Sequence, residues 1–244
     1  MRPHTEAILC CVTDRRGFSV AKLAADDWAG AGDDSHSIEA LRDFIEKIAA
    51  AGVDWIQIRE KDLEAQQLRG LASAAVEMAR ATRTRIIVND RLDVALAARA
   101  AGVHLGENSL PVAAVASWKR GASQGDAHAS ISADFLVGAS CHSLESAIQA
   151  EGEGADYIFF GPVFATPSKA VFGAPQGLTR LEQVCHAVRV PVLAIGGVTL
   201  ENAAACLEAG AAGIAAIRLF QETRDPAALV ARFRAISSGS PQSA

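Results

Sequence analysis

The chain has 244 residues, half of them apolar, with 23 basic and 28 acidic side chains and a formal net charge of -5. That is enough apolar material for one large core, and it suits a single-domain α/β barrel over 1–244, with its core at about 8–236, better than two ordinary domains. Opposite charges are interspersed, so no basic stripe exists to neutralise a nucleic-acid backbone, and nucleic acid is excluded as a partner. The five cysteines (Cys10, Cys11, Cys141, Cys185, Cys206) are odd in number and lack CxxC spacing. This argues against a disulfide framework or a structural zinc site and fits reduced thiols in the cytoplasm. The opening MRPHTEAILCCVTDRR carries an apolar run of only about six residues, too short for a signal-peptide core or a spanning helix, so neither export nor a membrane is expected.

Along the chain, short apolar strands are predicted at 7–13, 54–59, 85–88, 103–105, 135–138, 156–160, 190–195 and 213–217. Helices are predicted between them, among others at 63–81, 143–151, 178–188 and 200–209. One phrase recurs: AAGVDWIQI, RAAGVHLG, GEGADYIFF and EAGAAGIAAI. Each reads as a helix closed by a left-handed glycine (Gly52, Gly102, Gly154, Gly210) and followed at once by a strand buried on both faces. Their spacing of about 50 residues equals two βα units, and eight units close a TIM (β/α)8 barrel. Three stretches, 26–37, 121–132 and 237–244, are rich in Gly, Ser and Asp and read as exposed, mobile loops and a tail.

In such a barrel the active site is built where the strands end. The second strand runs into Gln57, Arg59 and Lys61, which alternation turns toward the mouth if the strand continues that far. The plain alternative is that these cations pair with Glu60 or Asp62 on a solvated rim. After the third strand, Asn89 and Asp90 offer a hard carboxylate for magnesium, or simply a cap for the helix RLDVALAARA. His104 within the fourth strand reads as structural, whereas His142 after the fifth is better placed for acid–base work. The sixth strand leads into the long loop TPSKAVFGAPQG, whose hydroxyls, glycines and Lys169 suit an anion or an ordinary surface loop. The seventh leads into Gly196 and Gly197, where free amides and a following helix could face an oxyanion.

Over roughly 8–220 the pattern resembles the thiamine phosphate synthase and TenI superfamily, on VTDRR, QIREK, VNDRLDVAL, GVHLG, GASCHSLESA, GADYIFFGPVFATPSK and AIGGVTLENAAACLEAGAAGIA. The resemblance implies an enzyme that joins the pyrophosphate ester of hydroxymethylpyrimidine to hydroxyethylthiazole phosphate, releasing pyrophosphate and giving thiamine phosphate. By the same resemblance Gln57, Arg59, Lys61, Asn89 and Lys169 hold the pyrimidine pyrophosphate, Asp90 holds Mg²⁺, and Ser140 lies near the reacting centre. Thr166, Ser168, Gly177, Gly196, Gly197 and the backbone at Ile217 and Arg218 hold the thiazole phosphate. A homo-oligomer is compatible with the sequence.

Two positions depart from the pattern. Where the synthases read HLGQxD with a second metal-binding Asp, this chain reads HLGENS, with Ser109 at that place and Glu107 two residues earlier as a substitute metal ligand. Arg218 replaces a small serine beside the thiazole phosphate, where it could strengthen or obstruct binding. TenI-type thiazole tautomerases also lack the second Asp and use a histidine at the place of His142, so an isomerase of thiazole carboxylate phosphate is the alternative. A non-catalytic phosphate-binding barrel is a third. Retention of Gln57, Lys61, Asp90 and Lys169 favours the synthase.

Overall fold

The computed structural model describes residues 6–17, 34–122, 134–166 and 174–239. Eight strands follow one another as β1 (Ile8–Val12), β2 (Trp55–Ile58), β3 (Arg85–Asn89), β4 (Gly102–Leu105), β5 (Leu136–Cys141), β6 (Tyr157–Phe160), β7 (Val192–Ile195) and β8 (Gly213–Ala216). Each pairs in parallel with the next and β8 closes on β1. The helices are α1 (Asp34–Ala50), α2 (Ala65–Ala79), α3 (Leu92–Ala97), α4 (Val112–Ala122), α5 (Leu144–Glu153), α6 (Gly177–Ala187), α7 (Leu200–Glu208), α8 (Arg218–Gln221) and α9 (Pro226–Ser237). Among the described residues no helix is long and apolar enough to cross a membrane.

Strands this apolar have nowhere to sit but between two apolar layers. Outside the sheet, Leu9, Ile56, Val88, Val103, Val137 and Ile158 pack against the inner faces of the helices. Inside it, Cys10, Val12, Trp55, Tyr157, Phe159, Leu193 and Ala215 fill the barrel. The two aspartates of the recurring phrase act alike at the closed end. Asp54 accepts the amide of Leu9 at 2.7 Å and pairs with Arg234, and Asp156 accepts the amide of Val137 at 2.7 Å and pairs with Lys119. Each ties its strand to the preceding one, so half a barrel repeats the device.

One of the four glycines of the phrase departs from the expected left-handed turn. Gly52, Gly154 and Gly210 do take positive φ, but Gly102 does not, and Arg99 with φ 55° makes the left-handed turn after α3. Gly102 belongs to β4, where a Cβ would meet the carbonyl oxygen of Leu136 at 2.4 Å, so close strand approach demands the glycine. The expected loops were also too long. Residues 34–37 open α1, 121–122 close α4, and Ser237 ends α9, while 26–33, 123–132 and 240–244 lie outside the described residues.

Candidate active site at the barrel mouth

The rim at β2 is organised by an ion-pair clamp. Glu60 is buried, accepts the Thr13 hydroxyl at 2.6 Å and the Arg15 amide at 3.1 Å, and lies 3.5 Å from the Arg15 guanidinium. Burial raises its carboxyl above the usual range, against the pull of these partners. Asp62 pairs with both Arg15 (2.5 Å) and Arg16 (2.6 Å), and chiefly the Arg15 hydrogen bond holds it down to about 2. Both acids of QIREKD are therefore taken by the arginines of VTDRR, which overturns their expected alternative pairing with Arg59 and Lys61. Among the described residues those two cations form no ion pair. β2 ends at Ile58, short of the extension considered, so Gln57 is buried in the strand, Arg59 is half-buried beyond it, and Lys61 stands exposed in the turn. The Arg59 amide donates to the Thr13 hydroxyl at 2.9 Å, which fixes where its side chain leaves the rim.

A polar chain continues from β2 to β4. The Gln57 amide donates to Asn89 Oδ1 at 3.2 Å, and Asn89 Nδ2 donates to Asp90 Oδ2 at 2.9 Å. Asp90 has φ 62°, and its other carboxylate oxygen accepts the Ser109 hydroxyl and, at 3.4 Å, the Gly106 amide. The capping role is thereby excluded: α3 is capped at Arg91 with no side-chain bond, and Asp90 turns to the β4 loop instead. Glu107 does not fill the missing place beside Asp90, because its exposed carboxylate faces His142 Nε2 at 3.7 Å.

Among the described residues no cluster of three His, Cys, Asp or Glu side chains could hold a metal by itself. Magnesium needs no such cage, since it keeps waters and takes one or two carboxylates plus substrate phosphates. Asp90 supplies one hard carboxylate with a neutral hydroxyl, Ser109, beside it, a donor set that fits magnesium brought in with a phosphorylated substrate.

His104 is buried as expected, yet it is not isolated from the site. Its Nε2 lies 2.9 Å from the Ser140 hydroxyl and its Nδ1 3.1 Å from the Tyr157 hydroxyl. Burial first of all pushes the imidazole down to about 3, with Arg59 adding to that and Asp90 opposing it. Ser140 sits within β5, which runs three residues beyond the predicted end, and alternation turns it inward with Leu136 and Gly138. His142 follows the strand, with Nδ1 against the Gly161 carbonyl. The Tyr157 contact and the Thr13–Arg15–Glu60 clamp were not foreseen. Strand register and the closure of the barrel, which a single sequence does not give, were the missing signal.

The opposite arc runs from β6 to β8. The amides of Val163 and Phe164 donate to the carbonyls of Ile195 and Gly196, both at 2.9 Å, so the β6 loop lies directly on the glycine pair. Gly196 (φ 92°) and Gly197 (φ 66°) occupy left-handed turns, and a Cβ on Gly197 would meet the Ala165 oxygen at 2.6 Å. Asn202 Nδ2 donates to the Gly197 carbonyl at 3.0 Å, pinning the turn to α7. Gly177, with φ 76°, opens α6 and donates to the Val163 carbonyl. Ile217 caps α8, and the exposed Arg218 guanidinium reaches Thr166 Oγ1 at 3.4 Å, joining the β8 and β6 sides. Ser168 and Lys169 lie outside the described residues.

The closed parallel barrel carries at its mouth two cations without ion pairs among the described residues and, across from them, a glycine-rich turn, which is the architecture of a (β/α)8-barrel enzyme. The family of thiamine monophosphate synthases matches residues 31–220, and the chain belongs to it. A thiamine-phosphate synthase of Methanoculleus marisnigri is 43% identical over 175 residues, covering 72% of this chain and 77% of that protein. One from Roseiflexus castenholzii is 36% identical over 226 residues, covering 93% and 86%. Among solved structures, a thiamine phosphate pyrophosphorylase from Pyrococcus furiosus superposes with a TM-score of 0.72 at 29% identity, covering 96% of this chain and 97% of that one.

Proposed function

We propose that this chain is a thiamine phosphate synthase that joins hydroxymethylpyrimidine pyrophosphate to hydroxyethylthiazole phosphate and releases pyrophosphate. Family membership supports the activity, and one observation supports the placement of the substrates. Because Arg15 and Arg16 occupy Glu60 and Asp62, Arg59 and Lys61 are left to bind an anion at the mouth.

In this reading Gln57, Arg59, Lys61 and Asn89, with Lys169, hold the pyrophosphate of the first substrate. The carbon–oxygen bond to the pyrophosphate breaks with its electron pair leaving on oxygen, and the thiazole nitrogen donates its lone pair to the exposed methylene carbon. Stabilising the departing charge is the demanding step, and cations gathered where that charge develops lower its cost. Asp90 would hold magnesium, which when bound neutralises part of the pyrophosphate charge. Ser140 faces the reacting centre. Gly196, Gly197 and Gly177, with Thr166, Ser168, Ile217 and Arg218, hold the thiazole phosphate and so aim its nitrogen. Five buried free thiols are in keeping with a cytoplasmic location.

The deciding experiment incubates purified protein with both substrates and Mg²⁺. Formation of thiamine phosphate is the expected result. Interconversion of thiazole carboxylate phosphate isomers without coupling would instead assign the tautomerase reaction, with His142 as its acid–base group, and binding without turnover would leave a regulatory barrel.

A further inference from the structure

We propose that His104 is a positioning residue, its tautomer set by Tyr157, that fixes the direction in which Ser140 presents its hydroxyl proton. The proposal rests on the reading above that Ser140 faces the reacting centre.

The argument is a count of hydrogens along a buried chain. Tyr157 is 1% exposed, and among the described residues its hydroxyl meets one acceptor, His104 Nδ1 at 3.1 Å. A buried hydroxyl that donates to nothing is costly, so Tyr157 donates to Nδ1. The ring proton is then on Nε2, which donates to Ser140 Oγ at 2.9 Å. The Ser140 hydroxyl has thus received a hydrogen bond from below and keeps its own proton to give toward the mouth. Reversing every donor in the chain would strand the tyrosine proton inside the barrel.

The packing holds this arrangement rigidly. Phe159 lies over the imidazole at 4.3 Å between centroids, and Trp55 meets the Tyr157 ring edge-on at 4.7 Å. Tyr157 reaches His104 only because its neighbour on β5 is Gly138, where a Cβ would stand 2.1 Å from the tyrosine ring. The third member of the chain is a phenol rather than a carboxylate. No carboxylate hydrogen-bonds the ring, whose two nitrogens meet only the Tyr157 and Ser140 hydroxyls, so Ser140 is not built as an activated nucleophile. It is built as a hydrogen-bond donor, which suits an oxygen that gains negative charge.

A double-mutant cycle tests this. Ser140→Ala should lower kcat by about 100-fold, as loss of one fixed donor does elsewhere. Tyr157→Phe deletes a single hydroxyl and keeps the ring contacts, and should lower kcat by about fivefold with KM for both substrates changed by less than about twofold. In the Ser140→Ala background the same change should cost less than about twofold, because its target is gone. His104→Gln, which retains a donor, should resemble Tyr157→Phe; should it fail to fold by thermal melting, the tyrosine variant carries the test alone. An undiminished loss from Tyr157→Phe in the Ser140→Ala background, or parental kcat for Tyr157→Phe alone, overturns the positioning role. Parental activity of Ser140→Ala overturns the placement of Ser140 itself, and the proposal with it.

Discussion

The two arcs of the mouth offer an anion different things. In the proposed reading the offer at β2 is made by side chains, Arg59 and Lys61, and it depends on engaging the acids beside them. Arg15 and Arg16 engage those acids, through a buried Arg15–Glu60 pair and a more exposed one around Asp62. At β7 the offer is made by the backbone, and it depends on Gly196 and Gly197 holding left-handed turns against the β6 loop. Side-chain charge can be tuned by substitution around it. A backbone turn packed this closely either exists or does not.

The largest effect is expected at the clamp. Arg15→Met keeps the apolar stem but leaves Glu60 buried without its guanidinium, and breaking a buried pair in this way costs about 3 kcal/mol or more. Denaturant unfolding should show that loss, and calorimetry should show weaker pyrophosphate binding, as Glu60 is left to face Arg59 and Lys61 while Asp62 keeps only Arg16. Stability within about 0.5 kcal/mol of the parent would mean that the clamp is ornamental.

Next comes the glycine turn. Gly197→Ala places a methyl at 2.6 Å from the Ala165 oxygen and 2.8 Å from Phe164 Cβ at a φ of 66°, so the β6 loop must shift. The strain is about 1–3 kcal/mol, and KM for the thiazole phosphate should rise about tenfold or more while the pyrophosphate side is spared. Equal losses on both substrates would erase the distinction between the arcs.

Much of this was legible in residues and the rest was not, for a physical reason. Helix–glycine–strand rhythm is local, so eight strands and the position of the glycine pair could be read directly. Gly102 was misassigned because a glycine needed for close approach of β5 looks the same in sequence as one needed for a left-handed turn. Arg15 and Glu60 are 45 residues apart and Tyr157 and His104 are 53 apart, and these pairings follow from strand register and barrel closure. That is why cations were found and the clamp that frees them was not.

A smaller effect is expected between β3 and β4, where side-chain charge is thinnest. Ser109→Asp restores a second carboxylate beside Asp90 in place of a neutral hydroxyl, and Mg²⁺ affinity measured by calorimetry with bound pyrophosphate should tighten about tenfold. Without metal the same variant should melt lower, because two carboxylates would then share the place of one hydrogen bond. Unchanged magnesium binding would show that Asp90 does not hold the ion.

The smallest effect separates the two acids that share Arg15. Asp62 is held down to about 2 from an ordinary 3.8, so its contribution is present above the ordinary value and is lost as pH falls through about 2. Glu60 is shifted the other way by burial, so its ionisation opposes folding above the ordinary 4.5, and acidification through that range relieves the cost. In the parent the two partly cancel on the way down. Asp62→Asn removes one arm, so its melting temperature should fall less between pH 4 and pH 2 than the parent's and should still rise on acidification from neutrality toward the Glu60 range. Parallel curves for the two proteins would show that Arg15 is held in the barrel by Glu60 alone, with Asp62 a bystander on the solvent side.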